Sequence, residues 1–139
     1  MSTDCIFCRI VAGEVPCTKV HETDRILAFM DIGPIVKGHT LVIPKEHFEN
    51  ITETPAELLG DMAAEIKRVA AAQLSGLSAD GINVTQANGA VAGQVVPHIH
   101  FHVIPRFEDD GHQWNWNPRS YRDNDEMAGY AERIARALE

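Results

Sequence analysis

The sequence lacks the features of a secreted, membrane-spanning or nucleic-acid-coating protein. It has no basic leader followed by an apolar segment, and no run of about 18 or more apolar residues. Positive charge is scarce, since 12 Lys and Arg residues stand against 20 Asp and Glu residues, which gives a net charge of -8. Nonspecific nucleic-acid binding needs a basic surface. We therefore expect a cytoplasmic protein with no nucleic-acid or membrane partner, although a small site could still bind a nucleotide.

Cysteine is also rare, with three residues at Cys5, Cys8 and Cys17. An odd, small number argues against a disulfide framework and suits a reducing compartment. Cys5 and Cys8 are three residues apart, which is half of a typical zinc site, because two thiolates at this spacing can bind one ion. The pair could equally be two small apolar residues in a short helical turn. The spacing alone leaves both interpretations open.

The chain is otherwise typical of one globular domain, with 45% hydrophobic and 23% charged residues over 139 positions. We expect a single domain over residues 1–139. Apolar and alternating segments predict strands at 18–22, 25–32, 38–44, 81–86 and 96–104.

Two helices are predicted. The first covers 54–75, where Thr54, Pro55 and Glu57 fit a capping box with proline at the first helical position. The second is amphipathic, covers 124–138 and follows a loop that begins at residue 105. Trp114 and Trp116 in that loop could cover a pocket, close a dimer surface or cap the core.

Three histidines, His98, His100 and His102, alternate with apolar residues. In a strand, this alternation places the imidazoles on one face and the apolar side chains on the other. Three imidazoles can bind zinc, or one can attack an electrophile while its neighbours bind the developing anion. The spacing slightly favours covalent catalysis, because three ligands on one flat face converge poorly on a tetrahedral ion.

Other polar positions have a simple and a functional interpretation. Asp31 ends an apolar strand and either forms a turn or binds sugar hydroxyls. His39 and His47, taken alone, are best read as solvated loop residues. The small-residue loop 88–94 is either a flexible connector or a phosphate cradle, since glycine lets backbone N–H groups approach an anion closely.

Residues 98–104 resemble the signature of the histidine triad (HIT) superfamily: three histidines that alternate with apolar residues, followed by two apolar residues. Four more segments resemble the bacterial pattern of this superfamily in the expected order, namely 5–10, 27–32, 38–47 and 88–94. The resemblance implies an α+β fold with a five-stranded antiparallel sheet, two main helices and a homodimer.

The resemblance also implies a hydrolase or nucleotidyl transferase related to the Hint and Fhit branches. Its substrates would be nucleoside 5′-phosphate derivatives, such as phosphoramidates and dinucleoside polyphosphates, and it would form a covalent nucleotidyl-histidine. By position, His100 is the nucleophile, His102 binds the phosphate and assists the leaving group, and His39 tunes the triad. The implied substrate-binding residues are Asp31 for the ribose, Phe7, Ile10 and Ile32 for the base, and Asn88 and Gln94 near the phosphate.

Bacterial members that this chain resembles hold a structural zinc ion. The implied ligands are Cys5, Cys8, His47 and His98. Two sulfur and two nitrogen ligands would complete a tetrahedral shell, so the ion would be structural rather than catalytic.

One position departs from the pattern. The family commonly has Ser or Thr three residues before the first triad histidine, where this chain has Val95, which cannot donate a hydrogen bond. Loss of one such donor can cost a factor on the order of 10²–10³ in rate, by analogy with oxyanion holes. The alternative function is therefore a nucleotide-binding or interaction module with vestigial hydrolase activity.

Overall fold

The computed structural model describes residues 4–138 and has the expected α+β architecture. One antiparallel sheet has the strand order β1-β2-β3-β5-β4. The strands are β1 (Lys19–Glu22), β2 (Ile26–Met30), β3 (Thr40–Pro44), β4 (Gly81–Thr85) and β5 (Phe101–Arg106). The α-helices in this range are α1 (Ile6–Val11), α2 (Ala56–Gly76) and α3 (Asn124–Ala137). None of these helices is long and apolar enough to span a bilayer.

The sheet is covered on both faces, as the apolar sequence of β2 predicts. Ile26, Ala28 and Val103 pack on one face against α2. On the other face, Leu27 and Phe29 pack with residues of α1. Ile99 and Val103 belong to the α2 side, which leaves the alternate positions of this segment, the histidines, for the α1 side.

The histidine strand begins later than predicted. β5 starts at Phe101, so His98 and His100 precede it. The amide of Ile99 donates to the carbonyl of Phe48 (2.7 Å), in a loop outside the sheet. Pro97 has no N–H to donate to a neighbouring strand. The first half of the triad is therefore held by loop contacts.

The predicted capping box of the first long helix is wrong. Pro55 is the N-cap of α2, and no side chain caps the helix. The Thr54 hydroxyl instead donates to the carbonyl of Asn50 (2.8 Å), so it bonds to the preceding loop rather than to the helix. The helix itself is present as predicted, and Leu58, Met62 and Val69 are buried on its inner face.

The short helix α1 is absent from the predicted elements, although a helical turn was one interpretation of the cysteine pair. Cys5 is its N-cap, and the Cys5 Sγ accepts a hydrogen bond from the Cys8 amide (3.4 Å). A helical turn and a metal site are therefore compatible at this pair, because the turn brings both sulfurs to one side.

The C-terminal segment lies mostly on the surface. The predicted second helix is present as α3, and Asp123 caps it by accepting from the Glu126 amide (2.8 Å). None of the described residues of α3 is buried. Trp114 and Trp116 are 43% and 78% exposed, so neither caps the core.

Gly38, just before β3, provides a test of the packing between α2 and the sheet. Its φ is +104°, and an added Cβ would lie 2.7 Å from the Leu77 Cδ1 and 2.9 Å from the Pro105 Cγ. We expect Gly38→Ala to lower the free energy of unfolding by about 1–3 kcal/mol in urea denaturation, from backbone strain alone. Gly60→Ala, in α2 with open space around the new methyl group, should raise it by about 0.5–1 kcal/mol. Equal stabilities of Gly38→Ala and wild type would contradict both the positive φ of Gly38 and its close packing.

Candidate functional site

A cavity of about 450 Å³ opens on the α1 side of the sheet. His100 and His102 both line it, and most of the remaining wall is apolar. Four of the six predicted substrate-binding residues also line it: Phe7, Ile10, Asp31 and Ile32. A nucleoside monophosphate would fit such a cavity, because its base needs an apolar slot and its sugar and phosphate need a few polar groups.

The aromatic ring of Phe7 packs against two histidines of the triad. Its centroid lies 5.1 Å from the His100 ring and 5.7 Å from the His98 ring, both in edge-on geometry. Phe29 packs edge-on against Phe7 at 5.6 Å. These contacts fix the position of the imidazoles from the side of α1.

The tautomer of His100 follows from its hydrogen bond. The Nδ1 of His100 lies 2.7 Å from the carbonyl oxygen of His98. A carbonyl oxygen only accepts, so Nδ1 carries the proton and donates it. In the neutral ring, Nε2 then keeps its lone pair. His100 therefore offers a nucleophilic nitrogen to the cavity that it lines.

The tautomer of His102 is fixed through His39. The backbone N–H of Ile35 donates to the Nδ1 of His39 (3.1 Å), so a neutral His39 carries its proton on Nε2. That Nε2–H donates to the Nδ1 of His102 at 2.8 Å. The proton of His102 must then reside on Nε2. His102 therefore offers an N–H donor where His100 offers a lone pair.

Both supporting histidines are neutral near pH 7. The pKa of His102 is lowered to about 4, mainly by burial and then by the neighbouring His100 and His39, while Asp31 opposes the shift. Burial also lowers the pKa of His39, against the opposing charge of Asp31, whose carboxylate lies 3.5 Å away. Neutral rings are the condition for the two tautomers assigned above.

Asp31 forms a turn, which is one of the two interpretations that its sequence context allowed. Its Oδ1 accepts from the amide of Gly33 (2.8 Å), which forms the turn after β2. The same carboxylate lines the cavity. Its proposed contact with ribose hydroxyls stays a prediction.

Asn88 and Gln94 lie outside the cavity lining and hold the loop 88–94 in place. The side-chain amide of Gln94 donates to the carbonyls of Glu49 (2.6 Å) and Val96 (3.1 Å), and its oxygen accepts from Gly89. The Oδ1 of Asn88 accepts from the amide of Ile51 (2.8 Å). Their contact with phosphate stays a prediction, since both are occupied with the protein itself.

Several lining or supporting groups were not singled out from the sequence. Cys17 and Val96 line the cavity, and the amide of Ile35 orients His39. A backbone amide has no residue-type signature, so only the conformation of the loop before β3 reveals the role of Ile35. Cys17 is half-buried. It is far from the triad in the sequence, and nothing in its sequence context predicts a position in the cavity wall.

Apart from the cavity, the four predicted metal ligands form a compact cluster. The Nδ1 of His98 lies 3.3 Å from the Cys5 Sγ, 3.6 Å from the Cys8 Sγ and 3.1 Å from the His47 Nδ1. The Cys8 Sγ lies 3.3 Å from the His47 Nδ1. All four ligand atoms are within 4.8 Å of one another.

These separations fit a zinc ion. A tetrahedral ion with Zn–S bonds of about 2.3 Å and Zn–N bonds of about 2.0–2.1 Å separates its ligands by about 3.3–3.8 Å. The Nε2–H of His98 donates to the carbonyl of Pro44 (2.9 Å), which leaves Nδ1 bare as a ligand atom. Four protein ligands would leave no coordination position open to substrate.

Comparison with known proteins finds similar sequences and structures. The family model for the HIT domain matches residues 12–109. Adenosine 5′-monophosphoramidase hnt1 of Schizosaccharomyces pombe is 47% identical over 102 residues, which are 73% of this chain and 74% of that protein.

Two solved structures are also similar. SMU.412c from Streptococcus mutans has a TM-score of 0.94 and 40% identity, over 100% of this chain and 88% of that one. A Zn-bound histidine triad family protein from Mycobacterium smegmatis has a TM-score of 0.78 and 38% identity, over 99% of each chain. From the triad, the cavity and these matches together, the chain belongs to the HIT domain family.

Proposed function

We propose that this protein is a nucleotide hydrolase that acts through a covalent nucleotidyl intermediate on His100. One observation carries the proposal: the lone pair of His100 Nε2 and the N–H of His102 Nε2 belong to neighbouring rings, 5.1 Å apart, in one apolar cavity. A nucleophile beside a donor is the arrangement that phosphoryl transfer requires. The substrates are nucleoside 5′-phosphate derivatives, a class that includes the phosphoramidates named for hnt1.

The nucleoside binds along the apolar wall. Its base packs against Phe7, Ile10 and Ile32, and its ribose hydroxyls donate to the carboxylate of Asp31. All four residues line the cavity that His100 and His102 also line. Binding energy from these contacts holds the phosphorus at the imidazole, which converts an encounter between two molecules into a reaction within one complex.

The first step is attack on phosphorus. His100 Nε2 forms a bond to phosphorus while the bond to the leaving group breaks on the opposite side. Positive charge builds on the His100 ring, and the carbonyl of His98 stabilises it by accepting from Nδ1–H. The Nε2–H of His102 donates to a phosphate oxygen or to the departing atom. Water then attacks the same phosphorus and releases the nucleoside monophosphate and free His100.

We further propose that Cys5, Cys8, His47 and His98 bind one structural zinc ion. The ligands come from α1, from the loop after β3 and from the segment before β5. When bound, the ion would cross-link these three segments and orient His98. The matching ligand separations and the Zn-bound relative support this proposal.

We also propose that two copies of the chain form a homodimer. β4 is at the edge of the sheet, and its Val84 side chain is exposed. Met127, Tyr130 and Ile134 form an exposed apolar stripe on α3. An edge strand with an apolar side chain and a helix with an uncovered apolar stripe both support association.

The covalent intermediate can be tested directly. With adenosine 5′-phosphoramidate, rapidly quenched protein should gain the mass of one AMP on His100, and AMP should accumulate. We expect His100→Ala to abolish the adduct and to lower turnover by about a thousandfold or more, because the nucleophile is lost. His112→Ala, which removes a histidine outside the cavity, should leave both unchanged.

This experiment also separates the two functional hypotheses. If the protein binds AMP but releases none from the phosphoramidate or from diadenosine tetraphosphate above the His100→Ala background, it is a binding module and the hydrolase proposal fails.

The zinc site has its own test. Protein purified without chelator should contain about one zinc ion per chain, and Cys8→Ser should lower both the zinc content and the melting temperature. Cys17→Ser is the matched control, because Cys17 lies outside the cluster and should keep the full zinc content. Wild-type protein with less than about 0.2 zinc per chain would contradict a structural site that needs metal to fold.

A further inference from the structure

The position of His100 determines where the leaving group must go. Attack on phosphorus occurs in line, so the departing group lies on the side of the phosphorus away from His100. His100 is buried in the wall of the cavity. The leaving group therefore extends toward the opening, and the side chains exposed at the opening are the ones it contacts.

The opening is apolar. Val95 and Ile32 both line the cavity, yet they are 88% and 101% exposed. The proposed function assigns Ile32 to the base. The other exposed side chains of the lining, Ile6 and Pro16, lie in or shortly after α1, the helix that supplies Phe7 and Ile10 to the base. Val95, in the loop before the triad, is then left for the leaving group. The polar side chains of the same loop are turned toward the protein, since Asn88 and Gln94 bond to neighbouring backbone groups.

The cavity also lacks a counter-charge for an anion. None of the 16 described residues that line it is Lys or Arg, and its charged carboxylate, Asp31, repels anions. The loop 88–95 contains no charged residue. A polyphosphate leaving group carries several negative charges, which this wall cannot compensate. An uncharged apolar leaving group needs no counter-charge, and apolar contact with Val95 stabilises it.

We propose that Val95 determines leaving-group specificity and selects uncharged, apolar amines over anionic groups. This inference rests on the proposed hydrolase function and narrows its substrates to phosphoramidates of apolar amines. In that reaction the N–P bond breaks, its electron pair stays on nitrogen, and the nitrogen takes a proton from water at the open mouth. The phosphoryl group passes to His100 Nε2 and then to water, so the products are the amine and the nucleoside monophosphate.

A matched set of substrates tests the inference. AMP phosphoramidates of leucinamide, glutamine amide and glutamic acid α-amide share one amine type and one scissile bond, and differ in an apolar, a polar and an anionic side chain. For wild type, we expect kcat/KM to be about tenfold or more higher for the leucine than for the glutamate derivative, within the range for apolar contacts in a pocket. The glutamine derivative should fall between them.

Two variants locate the effect. Val95→Lys places a cation at the opening and should lower the leucine-to-glutamate ratio by about tenfold, by attraction of the anion. Val91→Lys is the matched control, because Val91 is fully exposed in the same loop but does not line the cavity. It should leave the ratio within about twofold of wild type, since exposed charges at a distance are screened.

The outcomes distinguish this inference from the function on which it rests. Absence of AMP release from every derivative would overturn the hydrolase proposal itself. Release that is equal for all three, or fastest for the glutamate derivative, would leave the hydrolase intact and overturn the specificity of Val95. Equal effects of Val91→Lys and Val95→Lys would show that general charge, rather than contact with Val95, sets the preference.

Discussion

The hydrogen bond from His100 Nδ1–H to the carbonyl oxygen of His98 is the interaction on which the site depends. It selects the tautomer that exposes the His100 lone pair, and in the proposed reaction it would stabilise the positive charge that forms on the ring. The ring of the same His98 is held by Pro44 on one side and by the Cys and His cluster on the other. His98 thus joins the Cys and His cluster, through its side chain, to the ring of His100, through its backbone carbonyl.

The rest of the fold supplies the two conditions that this interaction needs. Burial keeps His39 and His102 neutral, because a charged ring without a partner loses its hydration: it lowers the pKa of His39, and the pKa of His102 falls to about 4. Rigid surroundings keep the rings oriented: α2 closes the opposite face of the sheet, and Phe7 of α1 contacts His98 and His100 from the side. The two layers on the sheet thus differ: the α2 layer packs the core, and the α1 layer contains the cavity with His100 and His102.

The sequence allowed the fold and most of the residues that meet at the site to be predicted. Strand alternation places His100 and His102 on one face, and the cysteine pair with two histidines indicates a metal cluster. The start of β5 was missed because the bond from Ile99 to Phe48 replaces sheet pairing. The tautomers of His100 and His102 could not be predicted from the sequence, because they depend on backbone groups of His98 and Ile35. The type of a residue does not indicate what its backbone groups contact. Asn88 and Gln94 are the opposite case. The sequence motif predicts a contact with phosphate, but in the structure their hydrogen bonds hold a loop in place.

The central claim is that hydrogen bonds fix complementary tautomers of His100 and His102. It is tested most directly by the imidazole ¹⁵N chemical shifts of uniformly labelled protein at neutral pH, assigned with single-histidine variants. The structure predicts a protonated Nδ1 and a bare Nε2 for His100, and the opposite for His102. A protonated Nε2 on His100, or a bare Nε2 on His102, would contradict it.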